Sequence, residues 1–205
     1  GGAFSLFSTI LSYYMLPETN HIKSKKEFSF NPFVPIIRGF RNKKLVSLYT
    51  AWFLLTVTLA INQSVLGLYI SQMFAWTVIA AGALVTLLGL IFVLNQTILM
   101  EKIWLKHFKE KSLVVWNMIP FALGYLVMAF PYRFALLIGI VVGAFCYSTL
   151  RVLINNHLID NTEPDEQGEM MGVLASLLAL AMFIGPVLGG PAYELAPNMP
   201  FIVAG

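Results

Sequence analysis

Between Trp76 and Leu99 the chain reads WTVIAAGALVTLLGLIFVLNQTIL, 24 residues without a charge. An α-helix needs about 20 such residues to cross the hydrocarbon of a bilayer, because each adds only about 1.5 Å of rise. A helix at the surface of a water-soluble domain would carry a polar face, and this run has none to offer. It predicts a membrane-spanning helix, with lipid as its solvent.

Working outward, similar runs are expected to span at Leu45–Tyr69, Leu113–Phe130, Phe134–Leu158 and Met170–Pro191, and a last run begins near Met199 and continues to Gly205. The opening residues GGAFSLFSTILSYYM lack the basic start and small-residue cleavage site of a signal peptide. Residues 1–16 are expected to be the end of a spanning helix whose beginning lies before Gly1. Residues 17–44 form a basic connector in which Asn31 can cap, and Pro32 open, a short helix. Phe33, Ile36, Ile37 and Phe40 fall on one face of it, as a helix lying in the membrane interface requires. Residues 45–205 are then a bundle of spanning helices, and the fold class is an all-α membrane protein.

Composition agrees, with 58% hydrophobic and 11% charged residues, against about 25% charged in soluble domains. The net charge of +3 comes from connecting segments and not from a basic face interleaved with aromatics, which argues against nucleic-acid binding. Cys146 is the single cysteine and can form no intrachain disulfide, and no Cys/His cluster with metal-ligand spacing exists. Lys23, Lys25, Lys26, Arg38, Arg41, Lys43 and Lys44 fall on the same side of the membrane as Lys102, Lys106, Lys109 and Lys111, and the opposite side has Arg133. By the bias of Lys and Arg toward the cytoplasm, the connector and the loop around Lys106 are inside. Short loops suit a multi-pass protein of a plasma membrane, such as a prokaryotic inner membrane.

A hydrophobic helix ending in LPET, a basic connector containing NPF, five further spans and then EQGEMMGVLASLLALAMFIGPVLGG together resemble the second half of a twelve-helix drug/proton antiporter of the major facilitator superfamily. The segment opening helix eleven is similar to the tetracycline and multidrug efflux branch at Gln167, Gly168, Gly172, Ser176, Gly185 and Pro186. The loop after helix eight keeps Lys106 and Lys111 of a family motif but has Glu101 and Phe108 where glycines are expected and Leu105 where an acid is. The resemblance implies helix six in part, helices seven to eleven complete and the start of helix twelve, joined to an N-terminal half that this chain does not contain. It also implies a central substrate site between two halves that rock to expose it alternately.

Helix ten carries Gly139, Gly143, Tyr147, Arg151 and Asn155 at intervals of four, so each neighbouring pair shares a face. Two readings stand for Arg151: it snorkels to the interface, or it lines the cavity and favours anionic or zwitterionic substrates, since a charge at membrane depth is costly and needs a partner. Asn62 and Gln63 in helix seven are read as substrate-facing amides or as interhelical hydrogen-bonding groups. Tyr147 and Asn155 complete the cavity candidates. Gly168, Gly172 and Ser176 form a small-residue seam, and Gly185, Pro186, Gly189 and Gly190 a packing or hinge element. The expected function is secondary active transport by alternating access, with proton-coupled efflux of drug-like molecules first and a metabolite or sugar carrier second. A non-transporting polytopic membrane protein is the third reading. No paired acids or His cluster beside the spans suggests an enzyme, and no cofactor is implied. The expected partners are the bilayer, a small-molecule substrate, protons and the N-terminal half of the same protein.

Overall fold

A computed structural model of the chain describes residues 2–15, 45–107 and 110–205. The expected connector and interfacial helix at 17–44 lie outside the described residues. Contacts divide the chain into a unit from Gly1 to Phe30 and a unit from Asn31 to Gly205. In the first, helix α1 (Gly2–Met15) is apolar, and its Thr9 hydroxyl donates to the Ser5 carbonyl within the helix.

The second unit contains α2 (Val46–Phe74), α3 (Val78–Leu94), a π-helical segment (Asn95–Trp104), the single turn α4 (Leu105–His107), α5 (Glu110–Met128), α6 (Arg133–Asp160), α7 (Gln167–Leu195) and α8 (Met199–Ala204). Among the described residues every regular element is helical, as a bilayer demands of a chain whose backbone polar groups must satisfy one another within each segment. Among the described residues four helices are long and apolar enough to cross a membrane: Val46–Phe74, Val78–Met100, Arg133–Asp160 and Gln167–Leu195. The apolar part of α5, Ser112–Met128, is shorter. The helices overrun several expected span ends. Helix α7 continues through Pro186 and Pro191 to Leu195, because a proline removes one backbone donor without forbidding the turns on either side.

Two helix pairs organise the unit. Helices α2 and α7 pack along their lengths, and so do α5 and α6. Small residues set the closeness of each pair. A Cβ built on Gly185 would stand 2.5 Å from the Ala60 Cβ, and one on Gly189 would stand 2.6 Å from the Ser64 hydroxyl. In the other pair, a Cβ on Gly139 would stand 2.5 Å from the Gly124 carbonyl oxygen. Helix α8 joins the pairs by touching α2, α5 and α7, and its fully buried Phe201 ring meets Tyr69 edge-on at 4.8 Å between centroids. Helix α6 is the most buried of the four long helices and supplies Leu136, Leu150, Leu153, Ile154 and Leu158 to the core. Helix α3 packs against α6 and leaves most of its apolar surface outward.

On the side opposite the lysine-rich loop, α2 ends in a left-handed residue, Ala75 at φ 52°, whose amide donates to the Ile70 and Ser71 carbonyls. The Arg133 guanidinium reaches across from the start of α6 to the Phe74 carbonyl at 3.2 Å. Thr77 then caps α3 by accepting from the Ala80 amide at 3.3 Å. The turn between two spans is thus closed by backbone, side-chain and charge contacts at once.

Candidate functional site

Helix α6 carries the stripe expected to bear chemistry, and its members face different surroundings. Gly139 and Gly143 are buried against α5. Tyr147 is buried, with its ring tilted against Phe92 of α3 at 5.9 Å between centroids. Arg151, one turn on, is exposed. Asn155 is half-buried, and its Oδ1 is buried without a hydrogen-bond partner among the described residues.

Helix α2 brings a second polar group to this region. The Asn62 amide nitrogen stands 3.5 Å from the Tyr125 hydroxyl of α5, a long hydrogen bond, while Asn62 Oδ1 is buried and has no partner among the described residues. The Tyr125 ring lies against Gly143, one turn before Tyr147 on α6. Asn62, Tyr125, Tyr147 and Arg151 therefore form a sequence of polar groups linking α2, α5 and α6. Buried polar atoms are normally paired, so the carboxamide oxygens of Asn62 and Asn155, which have no partner among the described residues, are acceptors with unused capacity. Gln63, one residue and about 100° further around α2, is exposed and stands outside the row. Tyr125 was not singled out by its sequence context. An aromatic in an apolar helix reads as packing, and only the α2–α5 approach reveals its hydroxyl as a partner for Asn62.

The packing candidates divide as well. Gly139, Gly185 and Gly189 sit at close helix contacts, whereas Gly168, Gly172 and Gly190 face open space among the described residues. The Ser176 hydroxyl donates back to the Gly172 carbonyl of its own helix. Pro186 is exposed. Lys106 lies exposed on α4, and Lys111 lies in the first turn of α5.

A separate buried polar cluster ties the π-helical segment to α6. The Asn95 side chain is 1% exposed. Its amide donates to the Ser148 hydroxyl, to the Thr149 hydroxyl at 2.8 Å and to the Phe145 carbonyl at 3.2 Å. Its oxygen accepts from the Trp104 indole at 3.3 Å. Such a cluster specifies how the π-helical segment seats on α6.

Comparison with known proteins places this arrangement. The profile of the Major Facilitator Superfamily matches residues 48–205. The chain is similar to the tetracycline resistance protein, class C, of Escherichia coli, with 26% identity over 175 residues, covering 83% of this chain and 43% of that protein. It is 22% identical over 208 residues to multidrug resistance protein 2 of Bacillus subtilis (strain 168), covering 99% of this chain and 52% of that protein. Solute carrier family 67 member A1 of Homo sapiens is 30% identical over 117 residues, 56% of this chain and 27% of its own length. The chain spans about half the length of the two bacterial relatives. With its all-helical bundle and apolar spans, the chain is a multi-pass plasma-membrane protein and belongs to the Major Facilitator Superfamily.

Proposed function

We propose that the complete transporter works by alternating access and exports drug-like small molecules in exchange for protons, with this chain supplying one wall of the central site. The observation that carries the reading is the Asn62–Tyr125 hydrogen bond between α2 and α5, beside the α6 stripe of Gly143, Tyr147 and Arg151, with carboxamide oxygens at Asn62 and Asn155 unpartnered among the described residues. Those oxygens accept from substrate N–H or O–H groups, while Arg151 biases the site toward anionic or zwitterionic compounds. Gln63, exposed on the adjoining strip of α2, lies outside this row and is a separate candidate for contact with substrate. The names of the tetracycline and multidrug resistance relatives support drug-like substrates. The opposing wall and the proton-carrying acids belong to the other half of the transporter, and the work is non-covalent.

The test is extrusion of a fluorescent drug panel from energised membrane vesicles containing the complete protein, with and without a protonophore. Protonophore-sensitive extrusion, reduced at least about tenfold for anionic or zwitterionic members by Arg151→Ala, is expected, since loss of one charge-assisted contact costs about 1.5–3 kcal/mol. Unchanged transport of every substrate by that variant would remove Arg151 from the site. Absence of any extrusion by well-expressed protein would favour a metabolite carrier.

A further inference from the structure

Asn95 and Trp104 are the two ends of the π-helical segment, and the Trp104 indole donates to Asn95 Oδ1 at 3.3 Å. In an α-helix the nine steps between them make about two and a half turns and climb about 13.5 Å, so the side chains would stand on opposite faces and out of reach. Bonds of the i→i+5 kind put more residues into each turn, which brings the same steps close to two whole turns and both side chains onto one face. The tryptophan, leaning toward the helix N-terminus as helical side chains do, then reaches back to the carboxamide. The bond is a signature of the widened form and is lost when the segment tightens.

Two features make tightening accessible. From Leu90 to Ile119 the chain holds no glycine or proline, so nothing in the local sequence forbids the commoner α-helix. The widening is imposed from outside, by the Asn95 amide on Ser148, Thr149 and Phe145 of α6 and by the Trp104 ring, edge-on to Phe145 at 5.9 Å between centroids. Beyond Asn95 the segment is also seated apart from the main core. Met100 packs with Leu113 of α5 and Leu153 of α6 in a small cluster of its own, and regions with few buried apolar contacts change state at the lowest cost.

We propose that Asn95–Trp104 alternates between the π-helical form and an α-helix during the transport cycle, with Asn95 as the fixed anchor on α6 and the Trp104–Asn95 bond as the latch of the widened form. This rests on the alternating-access reading. Tightening turns Trp104 about half a turn away from α6 and carries the exposed Lys102 and Lys106 around the helix. The lysine-bearing end of one helix thus changes shape while the α2–α7 pair, in contact at Gly185 and Ala60, does not. The Phe92 ring, one turn before Asn95, tilts on Tyr147, which sets the anchor beside the α6 stripe that carries the polar candidates.

Thr97 and Lys102 are both exposed, lie outside the latch and report the form directly. As residues i and i+5 they are neighbours along the π-helix, whereas in an α-helix about 7.5 Å of rise alone exceeds the limit of about 7 Å on Cα separation in a disulfide. In the complete protein with Cys146→Ala and no other cysteine, Thr97→Cys with Lys102→Cys is expected to form a disulfide on mild oxidation, read as lost labelling by a polymeric maleimide. Adding Trp104→Phe, which keeps a ring and removes the donor, should lower the ratio of widened to α-helical form about two- to tenfold, the effect of one hydrogen bond, and slow the bridging. Closing the disulfide should cut extrusion of the fluorescent drug panel from vesicles at least about tenfold, since only the unbridged fraction still changes form, and reductant should restore it. Failure of the pair to bridge, or bridging unaltered by Trp104→Phe, overturns the latch. Undiminished extrusion by fully bridged protein overturns its part in transport. Bridging is read without transport, so a complete protein that extrudes nothing refutes the export reading, and the bridging rates decide the latch independently.

Discussion

Gly185, Gly189 and Gly190 are equal in the sequence, and a GPxxGG element invites one role for all three. Rotation of about 100° per residue separates them. Gly185 and Gly189 turn toward Ala60 and Ser64, and Gly190 turns to open space. Gly185→Val in the complete transporter therefore forces apart a contact already at van der Waals limit, at a cost of about 1–3 kcal/mol, and lowers the melting temperature in detergent by several degrees. Gly190→Ala is expected to leave melting unchanged or raise it slightly, through better helix propensity. Equal sensitivity at both positions would mean that the α2–α7 contact is not as described. The polar candidates follow the same logic. Asn62, Tyr147 and Arg151 were legible because amides, charges and a four-residue spacing are conspicuous in apolar helices. Tyr125 was not, because its importance lies in which helix comes to meet it.

At the scale of the element, spans are legible because hydrocarbon thickness fixes a length and loops must carry the charge. What the sequence conceals is the widening at Asn95–Trp104. A π-helical stretch needs no diagnostic residue, and such stretches occur where function or packing outweighs the preferred geometry. Asn95 shows what holds it. Its substitution tests this directly. In Asn95→Leu the Trp104 indole loses its acceptor, while the Ser148 and Thr149 hydroxyls keep their own bonds to the Phe145 carbonyl. The expected loss is therefore modest, about 1–2 kcal/mol, given about 0.6 kcal/mol for a typical interhelical bond in a membrane. It should appear as a lower melting temperature together with a shift in Trp104 emission. A shift in neither would show that the π-helical geometry does not depend on this carboxamide.

On the scale of the whole molecule, the helical class and the superfamily were readable from apolar run lengths and from the motif opening helix eleven. The pairing of α2 with α7 and α5 with α6 was not, since small residues advertise close approach without naming the partner. Large apolar side chains such as Val78, Ile79, Val85 and Phe183 point outward, and lipid or the opposing half must cover them. Residues 1–205 produced alone should therefore be transport-inactive, and co-production with the other half as a second polypeptide should restore drug extrusion in vesicles. Full activity of the segment alone would contradict a site shared between halves. The glycine contacts have one more consequence. Where α2 and α7 meet at Ala60, Ser64, Gly185 and Gly189, no layer of side chains separates the two backbones, so nothing there can be reshaped to suit a new cargo. In a saturation library selected for retained function, these positions would behave as a gauge that passes only the smallest residues.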